Sequence, residues 1–146
     1  MPLVIEERVI VAVPPERLWG LLIEPRSWPT WWPAVRSARS LDFKPLKDGS
    51  RFEVDLEMGA LRSRLLPRVT LCADGKSLDW SGRWLGVPCR QQWFVARTAQ
   101  GSRVTSRTTF AGVGALLLRL FRLHRRWRAM VERQLRGFKG TAERLS

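Results

Sequence analysis

Residues 101–146 read GSRVTSRTTFAGVGALLLRLFRLHRRWRAMVERQLRGFKGTAERLS, and the fold turns on a change of rhythm inside them. Residues 102–111 read as a strand. Past Gly112-Val113-Gly114 the period becomes helical. Leu116, Leu120, Leu123, Trp127, Met130, Val131, Leu135, Phe138 and Ala142 recur at three- and four-residue steps, which places them on one stripe of an amphipathic helix. One long C-terminal helix is expected, with Gly137 and Gly140 as the places where it would bend.

Upstream of this helix the period is two. In residues 50–58, Phe52, Val54, Leu56 and Met58 alternate with Arg51, Glu53, Asp55 and Glu57, the pattern of a half-buried antiparallel strand with a solvated acidic face. Further strands are expected over residues 62–72, 77–85 and 89–98. Turn signals separate them at Lys47-Asp48-Gly49, Asp74-Gly75, Gly86-Val87-Pro88 and Gln100-Gly101-Ser102. At the other end, residues 4–13 are rich in β-branched side chains and stop at Pro14-Pro15, so they read as the opening strand. Pro-Pro-Glu then opens a short helix over residues 16–23, with Leu18, Leu21 and Leu22 on one face. Glu24-Pro25 ends it, and residues 26–35 form a Pro-punctuated, Trp-rich turn or second short helix. Helices segregated from a meander of strands predict an α+β fold, a curved antiparallel sheet wrapped around one major helix. A chain of 146 residues is the size of a single domain, spanning residues 1–146.

Charge is concentrated in the second half. The formal net charge is +13, but residues 1–60 carry net −1 and residues 61–146 carry net +14. Seven Arg lie between residues 119 and 136, with only Glu132 to offset them. Three readings of that segment stay open. It is a solvated helix face, or a contact for an anionic membrane surface through Arg119, Arg122, Arg125 and Arg126, or a nucleic-acid contact. Nucleic acid is the least favoured, because no RNP, zinc-finger or helix-turn-helix signature accompanies the charge. The N-terminus is acidic where a signal peptide is apolar, and the longest apolar run, residues 113–118, falls far short of the ~20 residues that span a bilayer. Cys72 and Cys89 lie in strand-like runs without a CxxC spacing, so two reduced thiols in a cytoplasmic protein are expected.

Five short stretches together resemble the START-like (SRPBCC) superfamily, in its polyketide cyclase/dehydrase-like branch with the helix-grip fold. They are Val13-Pro14-Pro15-Glu16-Arg17-Leu18-Trp19, Glu24-Pro25-Arg26-Ser27-Trp28-Pro29-Thr30-Trp31-Trp32, Leu78-Asp79-Trp80-Ser81-Gly82, residues 101–112 (GSRVTSRTTFAG) and residues 135–143 (LRGFKGTAE). In that order they cover nearly the whole chain. The resemblance implies two short helices after the first strand, and a cavity between sheet and C-terminal helix that takes a hydrophobic small molecule or lipid. Where many relatives carry His and Glu on the last strands, this chain has Gln91 or Gln92, Ser106 and Thr108. A non-enzymatic ligand carrier is therefore favoured over a polyketide cyclase/aromatase-like enzyme, and an interaction module docking on membrane through the basic helix is the third reading.

The residues themselves offer little for catalysis. His124, the sole histidine, sits among arginines on the helix and reads as a helix residue rather than a base. No metal-ligand spacing, GxSxG, Walker or GxGxxG pattern occurs, and neither metal nor cofactor is expected. Trp80 and Trp84 share a strand face with Leu78, and Trp93 shares one with Gln91 and Val95. With Phe52, Val54, Leu56, Met58, Phe110, Leu123, Trp127 and Met130 they are the candidate cavity lining. Gln91, Ser106 and Thr108 would orient a ligand without ionising. Trp28, Trp31 and Trp32 would form the cavity rim, or else an apolar plug. For an enzyme, Arg83, Arg107 and Thr108 are the candidates for moving a proton.

Overall fold

The structure is a computed structural model that describes residues 2–42 and 44–145. Strand β1 (Leu3–Val11) leads through Pro14 into α1 (Pro15–Ile23), a 3-10 turn (Pro25–Ser27) and the single-turn α2 (Trp28–Trp31). Seven strands come next: β2 (Val35–Ser40), β3 (Phe52–Met58), β4 (Leu61–Leu65), β5 (Arg68–Ala73), β6 (Ser77–Trp84), β7 (Val87–Thr98) and β8 (Gly101–Phe110). The chain ends in α3 (Val113–Leu120) and α4 (Leu123–Leu145).

All strand pairs are antiparallel. One sheet has the order β1-β8-β7-β6-β5 and the other β2-β3-β4. The first strand closes against the last, with Leu3 opposite Phe110 and Val11 opposite Ser102. At the seam between the sheets Phe52 N–H donates to Pro67 O (3.1 Å) and Val69 N–H to Ser50 O (2.8 Å). The two sheets thus form one wall around α4, the α+β helix-grip arrangement expected from the sequence. Polar contacts fasten that helix to the first strand and its end: Arg128 pairs with Glu7 at 2.7 Å, and Glu143 accepts a hydrogen bond from Ala12 N–H at 2.8 Å.

Three local expectations need correction. The strand expected over residues 62–72 is two strands, because Pro67 has no N–H to continue the β4 ladder and β5 starts afresh at Arg68. β2 is an additional strand, starting at the last residue of the Trp-rich segment. Its sequence VRSARS lacks apolar alternation and is held instead by cross-strand pairs, Arg36 with Glu57 (2.7 Å) and Ser37 with Asp55 (3.0 Å). The C-terminal helix is not continuous. It breaks at Phe121-Arg122, where Arg122 adopts φ 57°, whereas Gly137 and Gly140 lie inside unbroken α4. The break has a phase argument behind it. Leu118 and Trp127 are both buried but nine residues apart, which is about two and a half turns, so one straight helix would point them to opposite sides.

Candidate functional site

The inner sheet face carries Trp80 and Trp84 from β6, Gln91 and Trp93 from β7, and Ser106, Thr108 and Phe110 from β8, all buried. α4 sets Trp127, Met130, Gln134 and Phe138 against them. Two aromatic clusters fill the space. Trp28 stacks on Trp80 (5.2 Å between centroids, 27° between planes), and Phe52 meets both edge-on. Trp31 lies edge-on to Trp93 and Phe138. At the other end Trp127 packs on Trp84 (4.8 Å) and Phe110 (5.2 Å).

The side chains expected to line a deep cavity therefore pack on one another there. Trp28, Trp31 and Trp32 are not a rim: all three are buried, and the apolar plug is what they form. Trp28 and Trp31 lie on α2 and Trp32 at its C-cap, Pro25 and Pro29 stand in the first turns of the 3-10 segment and of α2, and Trp28 Nε1–H is satisfied by Leu22 O at 3.1 Å.

Gln91, Ser106 and Thr108 form one linked row with the indole of Trp127. Gln91 donates to Ser106 Oγ (2.7 Å), Thr108 donates to Gln91 Oε1, and Trp127 Nε1–H donates to Thr108 Oγ1 (3.0 Å). The register places Thr108 directly opposite Gln91, so the row follows from strand pairing. Each expected ligand-orienting group already has a protein partner. Gln134, 1% exposed on the same helix stripe, keeps an unpartnered Oε1 among the described residues, as does the indole N–H of Trp93. Trp93 was among the expected lining residues, whereas Gln134 escaped the sequence reading. The signal for Gln134 was its position, four residues after Met130 and four before Phe138.

Several hollows open on the surface, and one that adjoins this core is a cleft of ≈ 420 Å³ between the β3–β4 hairpin and α4, reached by Met130 of the core. Its apolar surface comes from Met58 on the hairpin, Ala129 and Met130 on the helix, and Pro33-Ala34 after α2. The hairpin turn Gly59-Ala60 has no bulky side chain, and Gly59 supplies the φ of 63° that the tight turn requires. Arg126 and Arg133 stand on the cleft wall, seven residues or about 10 Å apart along the helix. Neither has an ion-pair partner among the described residues. Glu57, on the opposite wall, is engaged by Arg36 (2.7 Å) and Arg62 (3.3 Å), and the Arg36 hydrogen bond holds its carboxyl below the usual range. The cleft thus presents an apolar floor with two free cations above it.

Of the sequence candidates, Met58 and Met130 reach the cleft. Phe52, Val54 and Leu56 are buried and do not line it, and Leu123 is half-buried at the start of α4. Arg126 was expected on an anionic-surface contact and also lines the cleft. Arg133 was not singled out, because a helix charge shows its partner only once the hairpin is placed. Arg83 and Arg107 both lie on the outer side of the sheet. Arg83 donates to Gly86 O (3.2 Å), and Arg107 pairs with Glu6 (2.6 Å) and covers the Phe94 ring. Neither can reach a ligand inside, which leaves Thr108 alone of the three. His124 is half-buried with Nδ1 3.5 Å from Leu118 O. Cys72 and Cys89 are free thiols, and burial pushes Cys89 up to about 11.

A family profile described as "Polyketide cyclase / dehydrase and lipid transport" matches residues 2–143. The chain belongs to that family. Solved structures agree with this chain in shape. The Zhui aromatase/cyclase from Streptomyces superposes with TM-score 0.81 at 15% identity, covering 99% of this chain and 95% of that one. The Thermus thermophilus protein TTHA0849 gives 0.80 at 16%, covering 99% of each. Ara h 8.0201 gives 0.73 at 14%, covering 97% of this chain and 98% of that one. At such identities the likeness establishes the fold alone. No curated protein matches the sequence.

Proposed function

We propose that this polyketide cyclase-family protein binds a hydrophobic small molecule or lipid in the cleft between the β3–β4 hairpin and α4. The observation that carries the reading is the cleft itself, an apolar floor of Met58, Met130 and Ala129 under Arg126 and Arg133. Apolar surface supplies affinity, and a few placed polar groups fix orientation. Methionines suit a floor that must adapt to its ligand. A ligand with an anionic or carbonyl end directed at the two guanidiniums matches this chemistry best.

Organic extraction of the purified protein, followed by titration with an apolar fluorescent fatty acid, tests the proposal. Saturable binding is expected for the native chain. Ala129→Trp, which fills the cleft from an already half-buried helix position, is expected to weaken it at least tenfold without lowering the thermal midpoint much. Equal binding by Ala129→Trp would move the site elsewhere, and no binding by the native chain would end the proposal.

A second reading, polyketide cyclase/aromatase-like catalysis, is favoured by one observation, the buried Gln91–Ser106–Thr108–Trp127 row. Such a row can polarise a carbonyl although none of its members is charged at neutral pH. Ser106→Ala combined with Thr108→Val is then expected to abolish turnover of a poly-β-ketone substrate, and unchanged turnover would count against it.

A further inference from the structure

The surface around α3 combines features that neither packing nor ligand binding uses. α3 buries only Ala115 and Leu118. Val113 (75% exposed), Leu116 (62%), Leu120 (72%) and Phe121 (68%) face outward, with Leu117 beside them. Gly114 brings α3 against the β6–β7 hairpin so closely that a Cβ there would lie 2.7 Å from Val87 Cγ2. Leu85, at the turn of the same hairpin two residues before Val87, is exposed as well. Val113, Leu116, Leu117, Leu120 and Phe121, at three- and four-residue steps, form an exposed apolar face of the kind that marks an interaction site.

Charge surrounds the patch with one sign. Arg119, Arg122, Arg125 and Arg126 are exposed, and none has an ion-pair partner among the described residues. No Asp or Glu occurs anywhere in the sequence between Asp79 and Glu132. No helix among the described residues is long and apolar enough to cross a membrane. An apolar face next to unpaired arginines is the composition of a helix that lies in the interface of a lipid bilayer.

We propose that α3 and the α3–α4 corner dock on an anionic lipid surface, with Leu116, Leu120 and Phe121 inserted and Arg119, Arg122 and Arg125 on the headgroups. A second copy of the chain fits the patch less well. A two-fold contact presents the same surface from both partners, so it would bring the two arginine clusters together with no acid between them. Nucleic acid would engage the guanidiniums but leave five exposed apolar side chains unused. The docking does not depend on the cleft being a ligand site.

The test is co-sedimentation of the full chain with vesicles of phosphatidylcholine alone or mixed with phosphatidylglycerol, at low and high salt. Pelleting is expected with the anionic vesicles only, and salt should weaken it. Leu116→Ser/Leu120→Ser/Phe121→Ser keeps every charge and is expected to lower apparent lipid affinity at least tenfold. Arg119→Glu/Arg125→Glu is expected to do the same. All five side chains are exposed, and an unchanged thermal midpoint checks that the fold survives. Absence of pelleting by the native chain at low salt would overturn the proposal. So would pelleting that the Ser variant leaves intact, since that would be charge attraction alone. A concentration-dependent dimer lost in the Ser variant would assign the patch to a second copy instead. Tighter binding to a DNA duplex than to vesicles, unaffected by the Ser changes, would assign it to nucleic acid.

Discussion

Gly137 and Gly140 occupy the same helix three residues apart, yet their surroundings differ in kind. A Cβ at Gly137 would lie 2.0 Å from the carbonyl oxygen of Trp31, a backbone atom that cannot step aside. This glycine lets α4 rest against the end of α2, the turn that sends Trp28 and Trp31 into the core. A Cβ at Gly140 would meet only the end of the Arg144 side chain, at 3.4 Å. Replacing a mid-helix glycine by alanine gains about 0.5–1 kcal/mol when space allows, whereas overpacking costs about 1–3 kcal/mol or more. Gly140→Ala is therefore expected to raise the thermal midpoint by a few degrees and Gly137→Ala to lower it, at about 2–4 °C per kcal/mol for a chain of this size. Thermal unfolding of the two variants side by side checks the sign.

At the scale of elements, pairing between β2 and β3 rests on charge more than on apolar contact. Asp42, just past β2, accepts from the Arg51 backbone N–H (2.9 Å) and from its guanidinium at Nε (3.0 Å) and Nη2 (2.9 Å). The Arg51 hydrogen bonds hold the Asp42 carboxyl down to about 2, against an ordinary 3.8. A carboxyl depressed in the folded state stabilises above its unfolded value, and that contribution is lost as pH falls through the folded one. Asp42→Asn is accordingly expected to flatten the stability profile between about pH 4 and pH 2, with no change in slope near neutrality. Denaturant titrations across that interval would show it. This hairpin also marks where sequence reading failed. β3 was legible because Phe52, Val54, Leu56 and Met58 alternate. VRSARS has no such alternation, and its partner charges sit more than a dozen residues away. The break before α4 was legible in principle, since Leu118 and Trp127 are out of phase. The eye follows instead the Leu116–Leu120–Leu123 stripe, whose first two members turn out to face solvent.

For the whole molecule, the antiparallel sheet, the C-terminal helical segment and the apolar side of β3, β6 and β7 were legible, because burial on one face imposes period two on strands and 3.6 on helices. Which buried residues would leave room for a ligand was not. Whether Trp80 and Trp93 line a space or fill it depends on where Trp28 and Trp31 arrive from α2, and for Trp84 on where α4 brings Trp127, contacts between segments distant in the chain. The same holds for the cleft, which exists only where the β3–β4 hairpin and α4 come together. The polar row of Gln91, Ser106 and Thr108 was visible as residue types at alternating positions. That they satisfy one another required the β7–β8 register and the approach of Trp127.

All eight tryptophans of this chain are buried, and there is no tyrosine to add its own ultraviolet signal. Trp31 and Trp32 lie nearly parallel (19° between planes), as do Trp28 and Trp80 (27°). The protein consequently carries a built-in optical gauge. Its indoles are close enough to exchange excitation, so near-ultraviolet circular dichroism and emission wavelength report the packing of the core itself. Any ligand that pries the α2 plug away from the sheet would change both without a dye being attached.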